Sequence, residues 1–268
     1  MPQPPRKRVN ERVLRPVRPN VGIEVAYRKK LDALIQQMQK STLYWITAAY
    51  RERPPEMAQD ESPAAFLRRK IKDLTARWLK NFNDAAPNMA AWFAESTEKR
   101  SADAMKKILK DGGFTVEFKM TPAMRDIADA TIAENVSLIR SVPSQFFTQI
   151  EGIVYRSVTA GGDLSTMTKE LQAQFGVTRR RAAFIARDQN AKMTAAFSRA
   201  KSLEAGLTTA LWQHSHGGRE PRKSHLANSG KEYDIAKGWY DPDAKVVCWP
   251  GTLPNCRCIS KPIVRGFS

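Results

Sequence analysis

All three histidines (His214, His216, His225) and all three cysteines (Cys248, Cys256, Cys258) lie after residue 206. Imidazole and thiolate are the usual zinc ligands, and a structural zinc site takes four of them. His225, Cys248, Cys256 and Cys258 would supply a Cys3His set. The Cys-x-Cys step at 256–258 is tighter than the usual Cys-x2-Cys, so a disulfide from Cys248 to one of the other two and three free thiols in a small core also fit the spacing. On a strand, Cys256 and Cys258 would point to the same face. The cysteines are too few and too clustered for a disulfide scaffold. They indicate one local site in a reducing compartment.

A histidine near cysteines also suggests nucleophilic catalysis. No third group that would orient the imidazole can be identified from the sequence. His225 with Asn228 or Asn255 would suit a metal nuclease, but the acidic ligands such a site needs are not evident. The phosphate-binding pattern Gly-x4-Gly-Lys-Ser/Thr does not occur. No catalytic residue is assigned, and the chain is not expected to be an enzyme.

The elements that must carry these residues divide the sequence by texture. The fold class expected is α+β: a mainly helical N-terminal body followed by a small, loop-rich, β-containing C-terminal module. Residues 1–26 read as a basic extended arm, 27–206 as the helical body with a sub-boundary near 112–121, and 207–268 as the module. In the body, Tyr27, Leu31, Leu34, Ile35 and Met38 follow a 3.6-residue period. Pro54 and Pro55 end that helix. Ser62-Pro63 opens a second helix, Pro87 a third that stops at Gly112-Gly113, and Thr121-Pro122 a fourth. Pro143 breaks the fourth, and the helix after it ends at Gly161-Gly162. A short helix from Ser165 precedes a longer one, capped by Thr178, that reaches about Gly206. Phe114 to Met120 alternates as a short strand or extended link. In the module, residues 208–213, 246–249 and 258–264 read as strands. A unit this small often needs a staple.

Lys and Arg number 44 against 27 Asp and Glu, a net charge of +17 over 268 residues. That balance favours a polyanionic partner: nucleic acid, an anionic membrane or an acidic protein surface. Nine basic residues and two acids fall in residues 1–30, with five prolines among the first nineteen. Proline and like-charge repulsion oppose a helix there, so the arm should order on a partner. Arg6, Lys7, Arg8, Arg12, Arg15 and Arg18 are the candidate contacts. Arg179, Arg180 and Arg181 join them, since three cations in a first helical turn oppose the helix dipole unless they face acids or phosphate. No apolar run approaches the roughly 18 residues of a membrane span. The N-terminus lacks the apolar stretch of a secretory signal, so export by that route is not expected.

Several of these residues form an ordered pattern. Arg181-Ala-Ala-Phe-Ile-Ala-Arg187 is followed by Trp212, Arg222-Lys-Ser-His225, Gly230-Lys231, Pro250-Gly251 and Pro254-Asn-Cys-Arg-Cys258, with Pro262 behind. The series resembles the phage Mu F-like minor head proteins, also called phage head morphogenesis proteins, over about residues 120–265. The marked positions are Arg187, Trp212, Arg222, His225, Cys256, Arg257 and Cys258, read as residues that hold the fold or make contacts. The resemblance implies a low-copy virion protein at the head interior or portal vertex, assembled in the host cytoplasm. Its partners would be the portal protein, capsid or scaffold proteins, and double-stranded DNA bound without sequence preference. Its roles would lie in capsid assembly, DNA packaging or DNA ejection.

Two positions depart from the family pattern. Arg187-Asp188-Gln189 stands where Arg-Thr-Glu is common. Gly217 and Gly218 stand where an acid often precedes Arg-x-x-His, so an arginine partner is missing there. Two other readings stand beside the head protein: a basic nucleic-acid-binding protein with a small zinc module, and a hydrolase using His225 and a cysteine.

Overall fold

The computed structural model describes residues 11–52, 63–159, 164–217 and 220–265. Four long helices precede a small antiparallel sheet. The helices are α1 (Val21–Glu52), α2 (Pro63–Asp111), α3 (Pro122–Thr159) and α4 (Leu164–Glu204). The strands are β1 (Glu11–Val13), β2 (Thr209–Gln213), β3 (Glu232–Asp234), β4 (Trp239–Asp241), β5 (Val246–Cys248) and β6 (Ile259–Arg265), with a short helix α5 (Lys223–Ala227) after β2. The expected class, a helical body followed by a small β-containing module, is the class observed.

The helices are fewer and longer than the prolines and glycines suggest. Pro87 lies inside α2 and Pro143 inside α3. A mid-helix proline removes one hydrogen bond and costs about 3 kcal/mol. Continuous burial on both sides offsets that cost. Phe82, Ala86, Ala90 and Phe93 are fully buried around Pro87, and Ile139, Val142, Phe146 and Phe147 are buried around Pro143. Thr178 likewise starts no helix. It lies inside α4, where its hydroxyl donates to the Gln174 carbonyl at 3.1 Å. Arg179–Arg181 therefore occupy no helix N-terminus, and the dipole argument for them fails. Thr121 does act as the cap expected, its Oγ1 accepting the Met124 N–H at 3.2 Å. Residues 114–121 form the extended link. Gly161 and Gly162 lie outside the described residues.

The chain forms two compact units. One comprises residues 22–93 and 131–186, the other residues 1–21, 94–130 and 187–268. The described residues of the first are all helical. Its core contains Tyr27, which stacks on Phe93 with ring centroids 4.5 Å apart and donates to Asn135 Oδ1 at 2.8 Å. The buried tyrosine hydroxyl thus keeps a partner.

The second unit carries the sheet, in the order β1-β6-β2-β3, with every pairing antiparallel. β4 and β5 form a separate hairpin that pairs Trp239 with Cys248 and Asp241 with Val246. The strands expected over 208–213, 246–249 and 258–264 are β2, β5 and β6. β1, β3 and β4 are three residues each, too short to show a period. Residues 11–13, expected within the extended arm, pair with β6, and Leu14 and Val17 are buried behind them. Arg12 donates to the Asp111 and Gly112 carbonyls at 3.1 Å each, a cation on the C-terminus of α2. α1 begins at Val21, before the expected Tyr27, because Pro16 and Pro19 precede the helix and do not interrupt it.

Gly238 marks the closest backbone approach near the hairpin. Its φ is +77°, and a Cβ there would lie 2.8 Å from the Trp249 ring and 3.0 Å from the Cys248 carbonyl oxygen. We predict that Gly238→Ala destabilises the protein by about 1–3 kcal/mol. Chemical denaturation should show this as a lower midpoint, whereas Gly113→Ala, at a positive φ but in open space, should cost less.

Candidate functional site

The site is built on the turn from Pro254 to Cys258. Asn255 has φ +57°, a left-handed conformation that asparagine tolerates better than most residues. This kink lets two cysteines separated by one residue converge on one imidazole. Cys256 Sγ lies 3.5 Å and Cys258 Sγ 3.6 Å from His225 Nδ1. The other ring nitrogen, Nε2, lies 3.0 Å from Asp241 Oδ2. His225 comes from α5 and Asp241 from β4. Cys248, from β5, places its Sγ within 4.8 Å of a His225 ring nitrogen and the Asp241 carboxylate. All five residues are buried, and the three cysteines are free.

Aromatic rings fix the imidazole from the side. Trp212 on β2 meets it edge-on at 4.9 Å, and Trp239 on β4 lies 6.1 Å away. Asp241 is fully buried, yet its Oδ1 accepts the Asp243 N–H at 2.9 Å and the Ala244 N–H at 3.4 Å. Burial alone would raise its pKa, but these donors and His225 hold it below the ordinary carboxylate range. Burial disfavours the imidazolium of His225, but Cys248 and Cys256 outweigh it and raise its pKa to about 9. Cys258 and His225, together with the backbone N–H groups of Cys258 and Gly251, favour the Cys256 thiolate against burial and push its pKa down. The Cys258 thiol is pushed up, by its neighbour Cys256 and by burial.

A ring of polar contacts holds the turn. The Asn255 N–H donates to Asp188 Oδ1 at 2.5 Å, and Arg187 donates to the Asn255 side-chain oxygen at 3.4 Å. Arg222 donates to the Pro254 carbonyl at 3.0 Å, and Arg257 to the Gly217 carbonyl at 2.6 Å. Behind the turn, a Cβ on Gly251 would sit 3.2 Å from Ala195 Cβ, so its backbone packs directly on α4. A cleft of about 200 Å3 opens beside the cysteines, lined by His214, Arg222, His225, Asn255, Cys256 and Arg257 among others.

The motif residues Arg187, Trp212, Arg222, His225, Cys256, Arg257 and Cys258 thus converge on one place. The two departures from the family pattern also acquire roles there. Asp188 anchors the turn and pairs with Lys192 at 2.9 Å. Arg222, with glycines at 217 and 218, uses the Pro254 backbone carbonyl. The residue that sequence reasoning missed is Asp241, the group that orients His225. Its only signal was the turn-like Asp241-Pro242-Asp243, which says nothing about a histidine sixteen residues earlier. His214 and His216 stack edge-on with each other and belong to neither His/Cys cluster.

The candidate contact residues are spread out. Arg6, Lys7 and Arg8 lie outside the described residues. Arg12 caps α2, Arg179 pairs with Asp32 at 3.2 Å, and Arg181 donates to Ser141 at 2.9 Å. Arg15 and Arg18 are exposed beside Lys261 along an open groove of about 480 Å3.

Asp188→Ala would leave the Asn255 N–H without its acceptor, at a cost of about 1–3 kcal/mol. The expected outcome is a lower urea midpoint and new protease cleavage near residues 254–258. An unchanged midpoint would remove Asp188 as the anchor.

Comparison with known proteins agrees with the geometry. The chain is 24% identical over 267 residues to an uncharacterized protein of Haemophilus influenzae, covering 96% of this chain and 57% of that protein. The chain therefore spans little more than half the length of the curated relative it matches. No solved structure is significantly similar to it. The family model described as "Phage Mu protein F like protein" matches residues 148–260, a stretch that takes in the whole cysteine turn and every residue of its polar ring. Residues 148–260 of this chain are thus similar to the Phage Mu protein F-like family.

Proposed function

We propose that the chain is a minor head protein of a tailed phage, acting in head morphogenesis at the portal vertex. The observation that carries this reading is the match over 148–260, whose residues form the ordered, anchored turn described above. The site serves as a structural clamp in this reading, and the chain performs no catalysis of its own. The portal is the proposed principal partner, with capsid or scaffold proteins as further contacts. The virion is the proposed location. No described helix is long and apolar enough to cross a membrane.

The charge supports a second contact, with packaged double-stranded DNA. A net +17 protein gains affinity from phosphate without reading sequence. Arg15, Arg18 and Lys261 present three cations along one groove, and Arg6, Lys7 and Arg8 precede them in the sequence. Arg12, Arg179 and Arg181 have intramolecular partners and are weaker candidates. Contact with DNA would suit a role in packaging or ejection.

The reading is tested by co-purification with a portal protein from the same genome. A complex of defined mass, visible as a decorated ring by electron microscopy, is expected. Absence of a complex, with salt-sensitive DNA binding retained, would favour the alternative of a nucleic-acid-binding protein with a small zinc module. For DNA, each phosphate contact contributes about −0.9 to the slope of log K against log salt. Replacing Arg15, Arg18 and Lys261 together by Ala should reduce the slope by about 3. An unchanged slope would exclude this groove.

A further inference from the structure

The distances around His225 have a specific chemical meaning. In a tetrahedral zinc site, Zn–S is near 2.3 Å and Zn–N is 2.0–2.1 Å, so a ligating nitrogen and sulfur lie about 3.6 Å apart. Cys256 and Cys258 lie 3.5 and 3.6 Å from His225 Nδ1. Both nitrogen–sulfur edges are therefore at ligand spacing, and the two sulfurs lie within 4.8 Å of each other. The fourth donor comes from the β4–β5 hairpin. Trp239 pairs with Cys248 and Asp241 with Val246, so Asp241 and Cys248 share a face of the hairpin by strand alternation. Both are buried and, with a His225 ring nitrogen, make up a second cluster within 4.8 Å that shares only His225 with the Cys256–Cys258 cluster, so Cys248 would close on the ion as it binds.

The surroundings suit thiolates more than thiols. Backbone N–H groups of Gly251 and Cys258 donate toward Cys256 Sγ, and that of Ser215 toward Cys258 Sγ. The Trp212 indole also lies beside Cys258, and its buried Nε1–H has no hydrogen-bond partner. A thiol in an apolar core is a poor acceptor and needs no such donors, whereas zinc-bound thiolates are commonly supported by them. Asp241 on Nε2 completes the pattern in which a carboxylate orients a metal-bound histidine. A zinc ion with three thiolates has a net charge of −1, and Arg222 and Arg257 line the adjoining cleft. That cleft also gives an ion a route to the cysteines.

We propose that the domain binds one structural Zn2+ through Nδ1 of His225 and the sulfurs of Cys248, Cys256 and Cys258, with Asp241 as the positioning residue for the imidazole. The ion joins α5, the 254–258 turn and the β4–β5 hairpin, three segments that share little regular secondary structure. Deprotonation of the cysteines on loading releases protons to solvent and involves no redox change. The inference does not depend on the head-protein reading, since it concerns ligation within one chain.

The test uses the full chain, purified without chelator or added metal, and inductively coupled plasma mass spectrometry. About one zinc per chain is expected. Exchange with Co2+ should give the intense visible absorption of a tetrahedral, thiolate-rich site. Cys256→Ser and Cys258→Ser should lose the metal. Asp241→Asn should keep one zinc per chain with affinity reduced about 10–100-fold, a split that general misfolding would not produce. A folded wild-type chain that holds no zinc and takes up no Co2+ would overturn the proposal. So would a disulfide found by mass spectrometry in freshly prepared protein. Rapid selective alkylation of Cys256 in a metal-free chain would replace the zinc site with a nucleophile. A Co2+ spectrum unchanged in Cys248→Ser would overturn the four-ligand set.

Discussion

The buried hydrogen bond between His225 and Asp241 is the constraint on which the rest of the site depends. A carboxylate removed from water is costly unless donors surround it. The Asp243 and Ala244 N–H groups and His225 Nε2 meet that demand. Once Nε2 is committed to Asp241, Nδ1 must face the opposite way, into the cysteines. One hydrogen bond thus decides which nitrogen meets sulfur. Trp212 and Trp239 then prevent the ring from rotating out of that plane.

The opposite wall of the site depends on a strained turn. Asn255 adopts a left-handed conformation, which brings two sulfurs to one nitrogen across a single intervening residue. Such a turn opens easily unless held at several points. It is held by Asp188 and Arg187 at Asn255 and by Arg222 at Pro254. Arg257 points outward between the two cysteines and fastens to Gly217. The spacing Pro-Asn-Cys-Arg-Cys therefore has a mechanical reading. Asparagine supplies the kink, the cysteines point inward, and the intervening arginine ties the turn to the segment after β2.

Part of this could be read from the residues alone. The clustering of His225, Cys248, Cys256 and Cys258 marked one local site because few other residue types ligate soft metals. β2, β5 and β6 were legible from apolar runs between Gly and Pro. The continuity of α2 through Pro87, of α3 through Pro143 and of α4 through Thr178 was not. Local preference argued for stops there, and burial of the flanking residues overrode it. β1 was invisible because three polar-flanked residues have no period. It is a strand only because β6 offers an edge. Asp241 could not be found because a buried acid is defined by its partners, and its partner is sixteen residues away on another element.

These features bear on how so small a sheet keeps its shape. Three of its four strands are three to five residues long, and the β4–β5 hairpin has three residues on each side. Ladders of that length are marginal by themselves. A small core is commonly supplemented by a metal or cross-links. Here the segments that pair least, α5 and the 254–258 turn, are those that meet at His225. The polar ring and the imidazole cluster act where backbone pairing stops. Under the proposed head-protein reading, a clamp of small area matters more than a deep substrate pocket. The cysteines are therefore placed to join segments, with the cleft beside them as a route in for an ion.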